Sequence, residues 1–189
     1  QNVKQILLVS KTKDKYYDLA ELCGGEGRTS VISIRMKLKS GENFDIVTGT
    51  DLNVPIEQYH VRMYFTDNTV LVAVMAPMCA PFGPMGQLNK HKYPIGWTRS
   101  YNLAAPHGRF CGEIALIQLR KMLHFIREQP DPTDLDKEFP WPDVLRHPGV
   151  TKQLWDRCRT GLVFKEKPCR KTSAMLGSCP EIVAPFKNK

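Results

Sequence analysis

The stretch YYDLAELCGGEGRTSVISIRMKLKSGENFDIVTGTDLN, residues 16–53, decides the fold. It begins with a predicted strand, Tyr17–Leu22, which a glycine turn joins to a predicted helix over Thr29–Leu38. Gly41 ends this helix, and Phe44–Thr48 predicts a second strand. Two strands joined by a helix form a βαβ unit, whose strands run parallel. The stretch therefore predicts an α/β fold.

Apolar and proline patterns extend this unit towards the middle of the chain. Residues 54–68, VPIEQYHVRMYFTDN, predict a helix that begins at Pro55 and ends at a turn signal. Residues 70–77, VLVAVMAP, are an unbroken apolar run, as expected for a central parallel strand that is covered on both faces. We expect a long loop next, which contains LNKHKYPIGWTRSYN, residues 88–102.

A second helix-to-strand passage follows that loop. Residues 111–126, CGEIALIQLRKMLHFI, predict a helix with Ile114, Ile117 and Met122 on its buried side. The helix passes into a strand that closes with HFIREQP at Pro130. We thus expect a second strand end near the first one in the sheet.

Proline-rich and basic segments complete the chain. Residues 131–149 predict a surface connection with a short helix near Asp143–Arg146, and residues 172–178, TSAMLGS, predict a final strand. Alternating strands and helices make the fold class α/β, with a doubly wound, mostly parallel sheet of the Rossmann-like type.

We expect a single domain over residues 1–189. An amphipathic helix would occupy residues 1–15, the core residues 16–179, and a tail residues 180–189. Because the chain begins with Gln1 and not with methionine, we expect it to be a processed or excised piece of a longer product.

Positive charge is concentrated near the carboxyl end. The formal net charge is +8, and residues 152–189 carry 9 basic and 3 acidic groups. These cations would either bind a phosphate backbone or simply be solvated on the surface. No window resembles a membrane span or a signal peptide, so we expect an intracellular protein, with the nucleus as one location, and no membrane partner. The six cysteines form no C-x-x-C pair, so we expect reduced thiols and no metal.

A glycine turn lies at the end of the first predicted strand, and ligands of doubly wound sheets bind at such ends. Gly24, Gly25 and Gly27 let the backbone turn tightly and approach a ligand in front of the following helix. Asp51 follows 24 residues after Gly27, where a carboxylate would bind ribose hydroxyls. The sequence thus predicts a nucleoside-cofactor site, with a purely structural turn as the alternative.

Cys79 and Glu128 follow two other apolar runs. Pro77 and Pro81 stiffen the turn around Cys79 and hold its thiol at a strand end, which suits a nucleophile. The alternative for Cys79 is a small, half-buried thiol at a turn. Beside such a cysteine, Glu128 is a candidate acid or hydrogen-bond partner for a heterocycle, and in isolation it would be a surface glutamate.

Taken in order, these motifs resemble those of the cytosine-5 DNA methyltransferase family. DLAELCGGEGRTS (residues 18–30) is similar to the motif that holds S-adenosylmethionine, and APMCAPFG (residues 76–83) to the proline–cysteine nucleophile loop. REQP (residues 127–130) is similar to the glutamate–asparagine–valine motif, and residues 155–178 resemble the late motif in which basic residues precede a strand. GGEGRTS, MAPMCAPFG, HGRFCG, HFIREQP and DRCRTGL also resemble methyltransferase-like domains within retroelement polyproteins of marine protists. Together the resemblances span about residues 17–179.

The resemblance implies an S-adenosylmethionine-dependent domain that methylates C5 of a cytosine in nucleic acid, with DNA as the expected target and other segments of a parent polyprotein as further partners. Cys79 would attack C6 of a flipped cytosine, and Glu128 would hold the N3 edge of the base. The implied catalytic residues are Cys79, Glu128 and Arg170; the implied cofactor-binding residues are Leu22, Gly24, Gly25, Gly27, Asp51 and Pro77.

A basic stretch near the carboxyl end is the candidate nucleic-acid contact. Its cations stand among Trp155 and Phe164, which would stack bases while the cations follow phosphates. The candidate residues are Arg157, Arg159, Lys165, Lys167 and Lys171.

Two residues depart from the family's motifs. Met78 stands where the family has proline before the nucleophile, and Gln129 stands where it has asparagine after the glutamate. The chain stops at Lys189, so we expect no separate target-recognition domain. One alternative is therefore a catalytically silent Rossmann-like module for nucleic-acid binding or assembly. Methylation of an exocyclic amine is another, but that chemistry normally needs an Asn or Asp that APMCAPFG lacks.

Overall fold

The computed structural model describes residues 15–169 and 171–187. Its strands are β1 (Tyr16–Leu22), β2 (Ser40–Phe44), β3 (Thr69–Met75), β4 (His124–Pro130), β5 (Thr151–Asp156), β6 (Val163–Phe164), β7 (Lys167–Pro168) and β8 (Thr172–Gly177). Its α-helices are α1 (Arg28–Arg35), α2 (Pro55–Asp67), α3 (Pro84–Lys92), α4 (Pro94–Arg120), α5 (Trp141–Leu145) and α6 (Pro180–Val183). Short 3-10 helices lie at Ile46–Thr48, Asp134–Lys137, Arg157–Thr160 and Ala184–Phe186.

The main sheet has the strand order β2-β1-β3-β4-β8-β5, and β6 and β7 form a separate hairpin. Strands β2, β1, β3 and β4 are parallel, whereas β8 runs antiparallel between β4 and β5. From β1 the chain first goes outward to β2 and then returns to β3 on the other side of β1. The strand order therefore switches direction between β1 and β3, the point where ligands of such sheets bind. The predicted Rossmann-like α/β class is confirmed.

The βαβ unit is present, but its second strand lies earlier than predicted. The helix spans Arg28–Arg35 and the strand spans Ser40–Phe44, so the prediction of a strand over 44–48 was wrong. Asp45 ends the strand because its carboxylate accepts a hydrogen bond from Val47 N, and the Thr48 hydroxyl accepts one from Asp45 N. This reciprocal cap starts a 3-10 turn.

The long loop predicted over residues 88–102 was also wrong. Helix α3 begins at Pro84 and helix α4 begins at Pro94. Proline is tolerated at the first position of a helix, because the backbone N–H that it lacks would have no helical partner there. The two prolines therefore start helices instead of interrupting one.

Helix α4 supplies much of the core beneath β3 and β4. Ile114 is fully buried as predicted, but Met122 is exposed because it lies in the turn after the helix, with φ at +56°. The connection over residues 131–149 is not wholly on the surface, since Leu135, Trp141 and Val144 are buried. These three side chains anchor the connection to the core.

Two further features concern only the part of the chain that the structure describes. None of its helices is both long and apolar enough to cross a membrane. It contains no group of three or more His, Cys, Asp or Glu side chains placed to hold a metal ion. The helix predicted over residues 1–15 lies outside the described residues, apart from Lys15.

Candidate active site

A cleft of about 420 Å³ lies at the carboxyl ends of β1 and β3. Its volume is within the range typical of small-molecule sites. The wall is formed by Cys23, Gly25, Asp45, Ile46, Thr50, Asp51, Leu52, Asn53, Ala76, Met78, Leu103 and His107. The cleft thus lies at the topological switch point.

The glycine turn forms one side of this cleft. Gly25 and Gly27 have φ of +58° and +66°. Residues other than glycine adopt these left-handed backbone angles only at an energetic cost. A Cβ on Gly24 would lie 2.7 Å from both Asn43 Oδ1 and Glu21 Oε2, so there is no room for one. Asn43 Nδ2 donates to Gly25 O at 2.8 Å and holds the turn against the end of β2.

The buried carboxylate of Glu21 is hydrogen-bonded to the first turn of helix α1. Glu21 Oε1 accepts hydrogen bonds from Ser30 N at 2.6 Å and Ser30 Oγ at 2.5 Å. Helix N-termini in nucleotide-binding folds often bind phosphate with these same N–H groups. Because a carboxylate already lies there, the turn is unfavourable for a phosphate group.

Asp45 is the carboxylate that directly follows β2, and it is not among the site residues predicted from the sequence. Asp45 Oδ2 accepts from Gly25 N at 3.0 Å, which joins it to the glycine turn. It follows Gly25 by 20 residues, as expected for an acidic residue at a nucleoside site. The spacing signal was present, but the wrong strand assignment hid it. Asp51 also lines the cleft, and its Oδ1 accepts from Asn53 N at 2.9 Å.

His107 on α4 connects the cleft to the loop that carries Cys79. Its Nε2 accepts from Met78 N at 3.3 Å, so this nitrogen carries no proton. Burial lowers the pKa of His107, while a hydrogen bond to the Leu103 carbonyl and the charges of Asp51 and Asp45 oppose that shift. The neutral ring therefore holds the loop that carries Cys79 beside the cleft.

The loop that carries Cys79 is a tight turn, and a side chain at the end of β4 supports it. Cys79 is half-buried, and its carbonyl accepts from Phe82 N at 3.0 Å and Gly83 N at 3.1 Å. Fully buried Gln129, at the end of β4, donates from Nε2 to Pro77 O at 2.6 Å. Gln129 thus lies beneath the loop and supports it.

Cys23 lies on the cleft wall, whereas Cys79 lies outside it on the adjoining loop, so Cys23 is a competing candidate nucleophile. A hydrogen bond with Cys111, together with burial, raises the pKa of the Cys23 thiol well above its ordinary value. Since the thiolate is the reactive form, Cys23 is a poor nucleophile.

Glu128 is held in place by Arg157, which the sequence predicts as a nucleic-acid contact. Arg157 Nη2 forms an ion pair with Glu128 Oε1, and Arg157 Nε donates to Ser173 Oγ on β8 at 3.0 Å. Strands β3 and β4 are parallel neighbours, so Glu128 and Cys79 lie at the same edge of the sheet. Arg170, the predicted catalytic arginine, lies outside the described residues.

The remaining predicted residues are spread over the fold. Leu22 is fully buried in the core and does not line the cleft. Lys165 and Lys167 are exposed on the β6–β7 hairpin, and Arg159 lies in the 3-10 helix after β5. Lys171 is half-buried just before β8, where its carbonyl accepts from the backbone N–H that follows β5.

No protein-family model matches the sequence, and the comparison with curated proteins found no match. Among solved structures, the chain is similar to the Dnmt2 methyltransferase of S. pombe, with a TM-score of 0.45 and 12% identity over 87% of this chain and 50% of that chain. This chain thus spans half the length of that structure. It is also similar to the structure of Thermoplasma acidophilum 1320, with a TM-score of 0.33 and 10% identity over 92% of this chain and 84% of that chain.

Proposed function

We propose that the chain is an S-adenosylmethionine-dependent methyltransferase domain that methylates C5 of cytosine in nucleic acid, with DNA as the expected target and Cys79 as the nucleophile. Met78 carries this proposal, because it lines the cleft and is the direct neighbour of Cys79. A cofactor in the cleft and a base at Cys79 would therefore meet along a single loop.

The charges of the cleft fit this cofactor. Asp45 and Asp51 line it, and the described residues that form its wall include no lysine or arginine. S-adenosylmethionine carries positive ammonium and sulfonium groups and ribose hydroxyls, all of which carboxylates attract. A phosphate-bearing cofactor would instead meet two carboxylates and the Glu21 carboxylate at the helix N-terminus. When bound, S-adenosylmethionine supplies an electrophilic methyl group.

The residues of the chain then have distinct roles. Cys79 Sγ would add as the thiolate to C6 of the base and make C5 nucleophilic. Once C5 carries the methyl group, water would take the C5 proton and the thiolate would leave C6, which restores the C5–C6 double bond. Glu128, held by Arg157, would bind the N3 edge of the base. His107 and Gln129 would keep the Cys79 loop in position through Met78 N and Pro77 O.

A silent nucleic-acid-binding or assembly module is the second candidate. The observation that favours it is Met78, which replaces the proline of the family's nucleophile loop. In either case the partners we propose are a nucleic acid and other segments of a parent retroelement polyprotein.

Calorimetry with S-adenosylmethionine, its demethylated product and ATP tests the cofactor. We expect binding of the first two and no binding of ATP, and no binding of S-adenosylmethionine at high micromolar concentration would contradict the proposal.

Transfer of labelled methyl to cytosine-containing DNA and RNA tests the chemistry. Cys79→Ser should retain cofactor binding and lose transfer to background, because the thiolate forms the bond to C6. Cys169→Ser, at a half-buried cysteine outside the cleft, should transfer like the wild type. Cofactor binding without transfer by the wild type, together with salt-dependent nucleic-acid binding, would favour the silent module.

A further inference from the structure

The chain has a long segment without negative charge around and after Cys79. Residues 68–112 contain no aspartate and no glutamate, although the whole chain has 19 acidic residues. Most of this segment after the loop folds into α3 and the first half of α4. We call residues 88–99, where the two helices meet, the α3–α4 elbow.

The elbow presents cations and the ring of Tyr93 to solvent, with the half-buried ring of Trp97 beside them. Every residue from 88 to 96 is exposed, including Lys90, Lys92 and Tyr93, and Arg99 is exposed a turn later. Lys90 Nζ lies 4.8 Å from the ring centre of Trp97. Aromatic rings among cations are typical of surfaces that bind a nucleic-acid strand, because the rings stack bases while the cations neutralise phosphates.

These cations are not neutralised by neighbouring carboxylates. Among the ion pairs in the described part of the chain, none involves Lys90, Lys92 or Arg99. Two carboxylates form hydrogen bonds with side chains of α3 and α4, and both already have a cationic partner outside the elbow. Asp134 accepts from Gln87 and pairs with Lys137, and Glu138 accepts from Arg109 and Tyr101. The elbow therefore keeps a net positive charge.

A small cavity joins the elbow to the nucleophile loop. It has a volume of about 290 Å³, and its wall includes Ala80, Pro81, Asn89, Tyr93 and Trp97. Trp97 Nε1 donates to Pro81 O at 3.1 Å, so a hydrogen bond joins the elbow directly to the loop that follows Cys79. A strand lying on the elbow would thus run past the nucleophile.

We propose that the α3–α4 elbow is a nucleic-acid binding surface, on which Lys90, Lys92 and Arg99 bind the phosphates of one strand and Tyr93 stacks a base. The proposal does not depend on methyl transfer, since a silent domain would bind the same way. The elbow would be a second nucleic-acid surface, separate from the basic residues near the carboxyl end. Charge selects the partner, because a polyanion complements a segment that contains no carboxylate.

Fluorescence anisotropy with a labelled 20-nucleotide single strand, without cofactor, tests the surface. Lys90→Ala/Lys92→Ala/Arg99→Ala should weaken binding at least about tenfold and reduce the slope of log K against log salt by about 2, since each neutralised phosphate of a single strand contributes about 0.7. Tyr93→Ala should weaken binding about tenfold, and Tyr93→Phe should bind like the wild type, because the ring alone is needed for stacking.

The matched control is Arg35→Ala/Lys37→Ala/Lys39→Ala, which removes the same charge from three exposed residues between the end of α1 and the start of β2, at the opposite edge of the sheet from Cys79. The proposal predicts a smaller loss of affinity for this variant than for the elbow variant. An equal or larger loss in the control, no binding by the wild type, or equally tight binding of anionic lipid vesicles through the elbow would each overturn it. Failure of methyl transfer with intact elbow-dependent binding would overturn only the enzymatic proposal.

Discussion

Replacing Gln129 with leucine tests whether β4 holds the nucleophile loop. Gln129 Nε2 donates to Pro77 O at 2.6 Å, and both residues are buried. Leucine has a similar size but no donor, so the Pro77 carbonyl would lose its partner, at a cost of about 1–3 kcal/mol in the free energy of unfolding. Because the loop loses a fixed point two residues before Cys79, we also expect the thiol of Cys79 to react faster with iodoacetamide. Urea unfolding and peptide mass mapping measure the two effects.

Gln118→Leu is the matched control. Gln118 is equally buried, and its Nε2 donates to Val70 O and His124 O, both at 2.8 Å, away from the loop. This variant should lose at least as much stability, since two carbonyls lose their donor, while Cys79 labelling in the absence of urea stays at the wild-type rate. If Gln118→Leu accelerates Cys79 labelling as much as Gln129→Leu does, general destabilisation explains the effect and the loop is not held by Gln129.

Two further predictions concern the cleft. Burial lowers the pKa of His107 and His124 below the unfolded value of about 6.5, so the stability that these neutral rings provide is complete above pH 6.5 and is lost as the pH falls through their lowered pKa values. His107→Gln should lose less stability on acidification than the wild type in urea titrations from pH 7 to pH 5, and an unchanged pH dependence would contradict this role. Gly25→Ala and Gly161→Ala both place alanine at positive φ in open space, at a cost of about 1–2 kcal/mol each, but only Gly25→Ala should weaken S-adenosylmethionine binding in calorimetry. Equal cofactor affinity in the two variants would show that Gly25 does not contact the cofactor.

The parts of the fold with strong local signals could be predicted from the sequence. The short, valine-rich apolar run that became β3 favoured a buried strand, and the glycine turn before α1 needed residues that tolerate positive φ. Helix α3 and the first part of α4 could not be predicted, because Pro84 and Pro94 are compatible with both a loop and a helix start. The side-chain cap at Asp45 likewise ended β2 earlier than residue propensities indicate.

The candidate site was predictable where it depends on position along the chain and not where it depends on packing. Gly25 and Asp51 were predicted at the cofactor site, and both line the cleft. The pairs His107 with Met78 and Arg157 with Glu128 each join residues 29 positions apart. The Arg157 contact exists because β8 inserts between β4 and β5, a sheet order that local sequence does not determine.

The buried position of Glu21 has a consequence for how glycine-rich turns are interpreted in other sequences. Gly24, Gly25 and Gly27 follow a strand and precede a helix, as they would in a fold that binds a pyrophosphate. The residue that changes the ligand preference lies three positions before the first glycine, buried inside the strand, and its carboxylate accepts a hydrogen bond from a backbone N–H at the start of the helix. The glycines thus set how closely a cofactor can approach, whereas the side chain behind them sets the sign of the charge it should carry.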